Sequence, residues 1–212
     1  MIDASETYKL IKEYASLEDQ VFCDLHKCAT PDSCSSKQYH VMLNFDKVKD
    51  IYCQTNGIES CKSADGLSYN DNGILFVIEI KGWELYERHG NPKTEEEVKD
   101  KVVNYKLSKK LSDSLMICKD VLSQTQSELV LPIVYLVVSD VKKEAKKEAV
   151  AELASALMIL SETSSDFSSI YGDEIKLHLS GISDVDCEFI ADCRQIDSAI
   201  ASWNKARLVT LL

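Results

Sequence analysis

The chain has 212 residues, 45% of them hydrophobic and 28% charged, so it is long enough to bury a core, and its composition excludes wholesale disorder. Its 24 basic and 35 acidic residues leave a formal charge of −11, which excludes a broadly basic surface that would attract nucleic acid indiscriminately. With only seven Gly and three Pro there is little material for a flexible linker, and residues 1–212 are expected to form a single domain.

No apolar run approaches the ~18 residues of a membrane-spanning helix. The start, Met1 to Glu6, lacks a basic segment followed by an apolar one. The sequence therefore predicts no membrane span, no secretory signal and a cytoplasmic location.

Residues 5–27 are predicted as an amphipathic helix capped by Asp3 or Ser5, with Leu10, Ile11, Tyr14, Leu17, Val21, Phe22 and Leu25 on one face. Glu18 falls inside that apolar arc, where a carboxylate needs a partner or a metal. Residues 28–38 are loop-like, Tyr39–Phe45 is strand-like, and Val48–Cys53 either extends that strand or turns away. Residues 64–70 and 74–81 are the clearest feature, two strands joined through the turn signal Asn70-Asp-Asn-Gly73.

Residues 95–122 are predicted as one long helix with Val103, Leu107, Leu111, Leu115, Cys118 and Leu122 on its inner face. Leu131–Val138 is a nearly continuous apolar run suited to a buried central strand. A helix is expected near 141–161, strands near 174–180 and 185–191, and a closing helix near 195–210. The core of this domain spans about 5–140, and a C-terminal strand–helix extension spans about 141–212.

Four Glu-x-Lys tripeptides occur, at 79, 97, 144 and 174. Those at 97 and 144 fall on predicted helices, where residues two apart do not share a face, and the one at 174 opens a strand with no apolar run before it. Glu79 and Lys81 alone end a long buried strand on a common face. If Asp71–Gly73 is a three-residue hairpin loop, Asn70 pairs with Ile74 and Asp65 stands across from Glu79, their Cβ atoms ~5 Å apart. Two facing carboxylates repel unless a cation or proton lies between them, and a shift of one residue in the turn would spoil the arrangement.

Asp65, Glu79 and Lys81 on a hairpin, followed by a helix and an apolar strand, resemble the PD-(D/E)XK nuclease superfamily. The resemblance covers about residues 5–140 in element order, and Ala64 stands where the family name has Pro. It implies an α/β fold with a restriction-endonuclease-like three-layer core, a mixed central sheet flanked by helices. It implies Mg²⁺- or Mn²⁺-dependent hydrolysis of phosphodiester bonds in DNA or RNA, endo- or exonucleolytic. Asp65, Glu79 and the Ile80 carbonyl would be the metal's oxygen ligands, with Lys81 orienting a water or stabilising developing negative charge. Glu18 matches the further acidic residue that relatives often carry on the first helix. Asn104, with Tyr105 beside it, takes the place of the relatives' Gln or Tyr on the helix after the hairpin.

On that helix Lys99, Lys106 and Lys110 form a stripe spaced to track a phosphate backbone, so nucleic acid is the expected partner, with a protein partner or homo-oligomer as further options. The competing readings are ordinary ones: Glu79 and Lys81 as a solvated strand end, Asp65 as a turn residue, Glu18 reaching solvent, and the lysines as a solvated helix face. The eight cysteines, at 23, 28, 34, 53, 61, 118, 187 and 193, contain no CxxC pair and are read as reduced thiols. A four-cysteine cluster, which some relatives carry, is the alternative. His26, His40, His89 and His178 show no spacing of a shared ligand set or nucleophile–base pair. Two other functions fit the −11 charge: a catalytically inactive nuclease-like binding or structural module, and an acidic immunity-type partner of a basic protein.

Overall fold

A computed structural model describes residues 2–25, 40–90, 92–141, 167–204 and 206. The fold is α/β: a six-stranded mixed sheet with helices on both faces. The helix expected at 141–161 lies outside the described residues. Among the described residues no helix is long and apolar enough to cross a membrane.

Helix α1 (Ala4–Ala15) starts where the Asp3 carboxylate accepts from the Glu6 amide at 2.8 Å. It ends far short of the expected residue 27, because Ser16 adopts a left-handed conformation (φ 49°) and its N–H turns back to Glu13 and Lys12. The remainder of that stretch forms a short strand β1 (Gln20–Val21) and a single turn α2 (Phe22–Leu25). Strand β2 (Val41–Asn44) leads directly into α3 (Phe45–Asn56). Asn44 caps α3 and Gly57 (φ 64°) stops it, so Val48–Cys53 turns away from the sheet instead of extending a strand.

Strands β3 (Gly66–Tyr69) and β4 (Leu75–Lys81) form the hairpin, with Tyr69 paired to Leu75 and Gly66 to Ile78. Gly73 takes the left-handed position (φ 74°) that the three-residue loop requires. A short helix α4 (Glu84–Arg88) follows. The long helix expected at 95–122 is two: α5 (Glu95–Val103) and α6 (Leu107–Ser123). They are separated at Asn104–Lys106, where Lys106 has φ 53°.

Strand β5 (Ile133–Ser139) runs parallel to β4, and β6 (Asp186–Ile190) parallel to β5. Residues 174–180, expected as a strand, belong instead to helix α7 (Phe167–Ser180), whose buried Tyr171, Ile175 and Leu179 recur every four residues. A 3₁₀ turn (Cys193–Gln195) and α8 (Ile196–Ser202) close the described chain.

The sheet separates two cores. Leu67, Leu75, Val77, Tyr135 and Val137 face α1, α3, α5, α6 and α7. Met42, Phe76, Ile78, Val134 and Leu136 face Phe22 of α2 and Ile196 and Ile200 of α8. By the two-residue period of a strand, Glu79, Lys81 and Ser139 continue the first face at the carboxyl ends of β4 and β5.

Asn70 ties the hairpin to its surroundings. Its Oδ1 accepts from the Asn72 and Ile74 amides at 3.1 and 3.2 Å, and its Nδ2 donates to the Ile200 and Trp203 carbonyls at 2.9 and 3.0 Å. Asn70→Ala removes all four bonds; the Trp203 carbonyl keeps its bond from Asn72 Nδ2 at 2.7 Å, while the Ile74 amide and the Ile200 carbonyl lose this partner. It should cost about 2–3 kcal/mol of unfolding free energy in urea titrations; a loss below about 0.5 kcal/mol would mean that the loop holds its shape without this side chain.

Candidate active site

Glu79 lies on the central strand β4 and is fully buried (0% exposed). Two lysines reach the same oxygen, Oε1: Lys81 from the next position on that face, and Lys110 of α6 at 2.7 Å. The other oxygen, Oε2, is buried with no hydrogen-bond partner among the described residues. A solvated strand end is excluded for this residue.

Asp65 arrives differently from the expectation of a regular rung. The ladder ends at Gly66–Ile78. Asp65 then donates its amide to the Ile78 carbonyl at 3.0 Å, one residue out of step, and its Oδ2 accepts from the Ile80 amide at 2.6 Å. This is a break of bulge type, which re-aims a side chain where a strand leaves its partner. The carboxylate takes over the bond to Ile80 that a further backbone rung would have made. Ile80, expected to offer its carbonyl, meets Asp65 through its N–H. Gly66 leaves room for the Met42 side chain, whose Sδ would stand 2.5 Å from a Cβ there.

The segment entering Asp65 is anchored by the neighbouring helices. The Lys62 amide donates to Asp113 Oδ2 at 3.0 Å, the Ala64 amide to Ser114 Oγ at 2.9 Å, and Ser63 Oγ to Asp46 Oδ1 at 2.5 Å. Phe45, opening α3, donates its amide to the Asp65 carbonyl at 3.0 Å.

Burial pushes the Glu79 carboxyl up to about 7, and the nearby Asp65 charge adds to the effect, while Lys81 and Lys110 oppose it. The Lys110 ammonium is opposed by burial, but Glu79 and Asp65 hold its affinity for the proton above the usual lysine value. Lys81 Nζ also lies 4.9 Å from the centroid of the Tyr105 ring, a cation–π distance. Burial pushes the Tyr105 hydroxyl up to about 12.

Asp65, Glu79, Lys81 and Lys110 are therefore brought together. Lys110 reaches into this cluster instead of lying on a solvated stripe. Lys99 is exposed on α5, Asn104 is an exposed residue at the α5 C-terminus, and Lys106 is exposed in the break between α5 and α6. The single helical stripe that would align these lysines is absent because α5 and α6 are separate helices. Glu18 is not part of the cluster: the early end of α1 leaves its side chain 96% exposed, 3.7 Å from Lys12 Nζ.

Asp46 was not singled out in the sequence. It lies in the first turn of α3, holds Ser63, and acts electrostatically on Lys110. On the opposite face, His40 joins Ser68 (Nε2 to Oγ, 2.9 Å) and Asp197 (Nδ1 to Oδ1, 2.8 Å). Ser68 is only 3% exposed and its strand partner is Phe76, so this chain links α8 to the sheet and leaves no room for a substrate at the hydroxyl. A cavity of about 1100 Å³ between α7, β6 and α8 includes Lys176, Glu188 and Arg194 in its wall but none of the clustered residues.

Among the described residues no group of three or more His, Cys, Asp or Glu is arranged to hold a metal. The donor set at the hairpin is two carboxylates, one with an unpartnered buried oxygen. That set fits a hard cation through oxygen ligands. No protein-family model, curated protein or solved structure matches the chain.

The raised Glu79 value has a consequence for stability. The unfolded chain releases this proton near 4.5 and the folded chain near 7, so the stabilisation is full below about pH 4.5 and is lost as the pH rises through about 7. Glu79→Gln mimics the neutral acid at every pH. Between pH 4.5 and pH 8 the variant should gain about 3 kcal/mol of unfolding free energy relative to wild type, measured by urea denaturation across that range. A difference that does not change with pH would contradict the assigned shift.

Proposed function

We propose that this protein is a metal-dependent nuclease of the PD-(D/E)XK type, with a restriction-endonuclease-like core, that hydrolyses phosphodiester bonds of DNA or RNA. The observation that carries this reading is the buried Glu79, with one oxygen on two lysines and the other unpartnered, beside a second carboxylate delivered by a break in β3. The succession α1, β2, β3, β4, α6, β5, with β1 and α2 before β2, α3 after it, and α4 and α5 after β4, supports it, as does the position of the cluster at the carboxyl ends of parallel strands, where α/β sheets place their ligands.

Asp65 and Glu79 would hold Mg²⁺ or Mn²⁺, which when bound supplies Lewis-acid polarisation of a phosphate and a water of lowered pKa. The chain's own residues do the rest. Lys81 and Lys110 present two ammonium groups beside the carboxylates, where they attract a phosphodiester and offset negative charge growing on its oxygens. The Ile80 amide and the lysines fix the two carboxylates, so little reorganisation is needed when substrate arrives.

A second reading, an inactive nuclease-like module that docks on a basic partner, is favoured by the −11 charge and by the two lysines already occupying Glu79 Oε1. Cleavage of plasmid DNA and single-stranded RNA, together with calorimetry of Mn²⁺ binding, separates the two. On the nuclease reading Lys81→Ala lowers cleavage at least about 100-fold while Mn²⁺ still binds, whereas Asp65→Asn loses both. Because a carboxylic acid is neutral below its pKa, metal binding and cleavage should fall about tenfold per pH unit below about 7. No cleavage and no Mn²⁺ binding by the wild type would favour the inactive module.

A further inference from the structure

We propose that Cys53 and Cys61 form a dithiol–disulfide site whose co-substrate is a low-molecular-weight disulfide such as oxidised glutathione. The inference is independent of the nuclease reading. The two Sγ atoms lie 3.3 Å apart, so a bond of ~2.05 Å requires them to close by roughly 1.3 Å.

The backbone sets the approach. Cys53 is near the end of α3, and its carbonyl accepts from the amides of Gly57 and Ile58, which turns the chain back over the helix. Beyond the turn, Lys62, Ser63 and Ala64 are bound to Asp113, Asp46 and Ser114. Cys61 is therefore held from its C-terminal side with its Sγ facing that of Cys53.

Cys61 is half-buried and Cys53 is 9% exposed, so Cys61 is the thiol that an oxidant meets first. In the first step the Cys61 thiolate attacks one sulfur of oxidised glutathione. A mixed disulfide forms, and one glutathione leaves as its thiolate. In the second step Cys53, having lost its proton to solvent, attacks the Cys61 sulfur, the protein disulfide forms and the second glutathione leaves. Two protein thiols are oxidised and one small disulfide is reduced to two thiols. Burial pushes the Cys61 thiol up to about 12, so little thiolate is present at neutral pH and the first step is slow.

The test uses the whole folded chain. Trypsin cuts after Lys49 and Lys62, so both cysteines fall in one peptide, Asp50–Lys62. After incubation with oxidised glutathione, unfolding and alkylation, that peptide should carry no alkyl label and weigh two hydrogens less than its reduced form. In Cys53→Ser, glutathione should remain attached to Cys61, which has lost its resolving partner. The oxidised wild type should melt about 5 °C higher, from closure of a short loop in the unfolded chain. A doubly alkylated peptide, glutathione persisting on the wild-type peptide, or a lower melting temperature of the oxidised form would overturn the proposal.

Discussion

The end of the β3–β4 ladder is the constraint on which the candidate site rests. Up to Gly66–Ile78 the pairing is regular; beyond it the Ile80 amide must find another acceptor, because a buried unpaired N–H is costly. Asp65 supplies that acceptor with its carboxylate. One hydrogen bond therefore does two things. It terminates the strand pair without an orphan donor, and it pins a negative charge next to Glu79. The face of Glu79 and Lys81 is fixed independently by β4, which is flanked on both sides and buried along six of its seven residues. A register slip of one residue would exchange Glu79 with Ile78 or Ile80 across the sheet and put a carboxylate into an apolar core.

Much of this was legible because it follows from local rules. Asn-Asp-Asn-Gly marked the turn, and Gly73 has the left-handed backbone that a three-residue loop needs. The apolar run at 131–138 marked the central parallel strand β5. Of the Glu-x-Lys copies, the two-residue period selected Glu79 and Lys81, whose side chains meet. These features need only the chain's nearest neighbours to specify them.

The misplaced features depend on contacts between elements or on single residues with unusual backbone. Ser16 and Lys106 both adopt left-handed conformations, and neither is the Gly or Asn that announces such a position. The apolar pattern continues through both, so a helix read from periodicity runs on where the chain turns. Glu18 and the lysine stripe were displaced for this reason alone. In α7 the helical spacing of Tyr171, Ile175 and Leu179 was present, but a window opening at Glu174 hides its first member. The His40–Asp197 link spans most of the chain, and no spacing in a sequence encodes it.

The break between α5 and α6 ties this irregularity to the chemistry. A left-handed non-glycine residue costs roughly 1–2 kcal/mol, and Lys106 accepts that strain at the start of the helix that carries Lys110 to Glu79. A continuous helix would constrain Lys110 to the direction set by α5. With the break, α6 is oriented by its own contacts with α1 and α3, and the Lys110 ammonium enters the sheet's first face. There it opposes a like-charge contact: the Asp65 charge pushes the Glu79 carboxyl up, and the Lys110 ammonium works against that. Yet both lysines bind the same Glu79 oxygen, and among the described residues Oε2 is left buried and unpartnered. A site shaped only for stability would spread two ammonium groups over two oxygens, since an unsatisfied buried acceptor costs about 1–3 kcal/mol. On the nuclease reading this second oxygen is the one that a ligand would meet; on the inactive reading the two lysines simply neutralise the buried carboxylate.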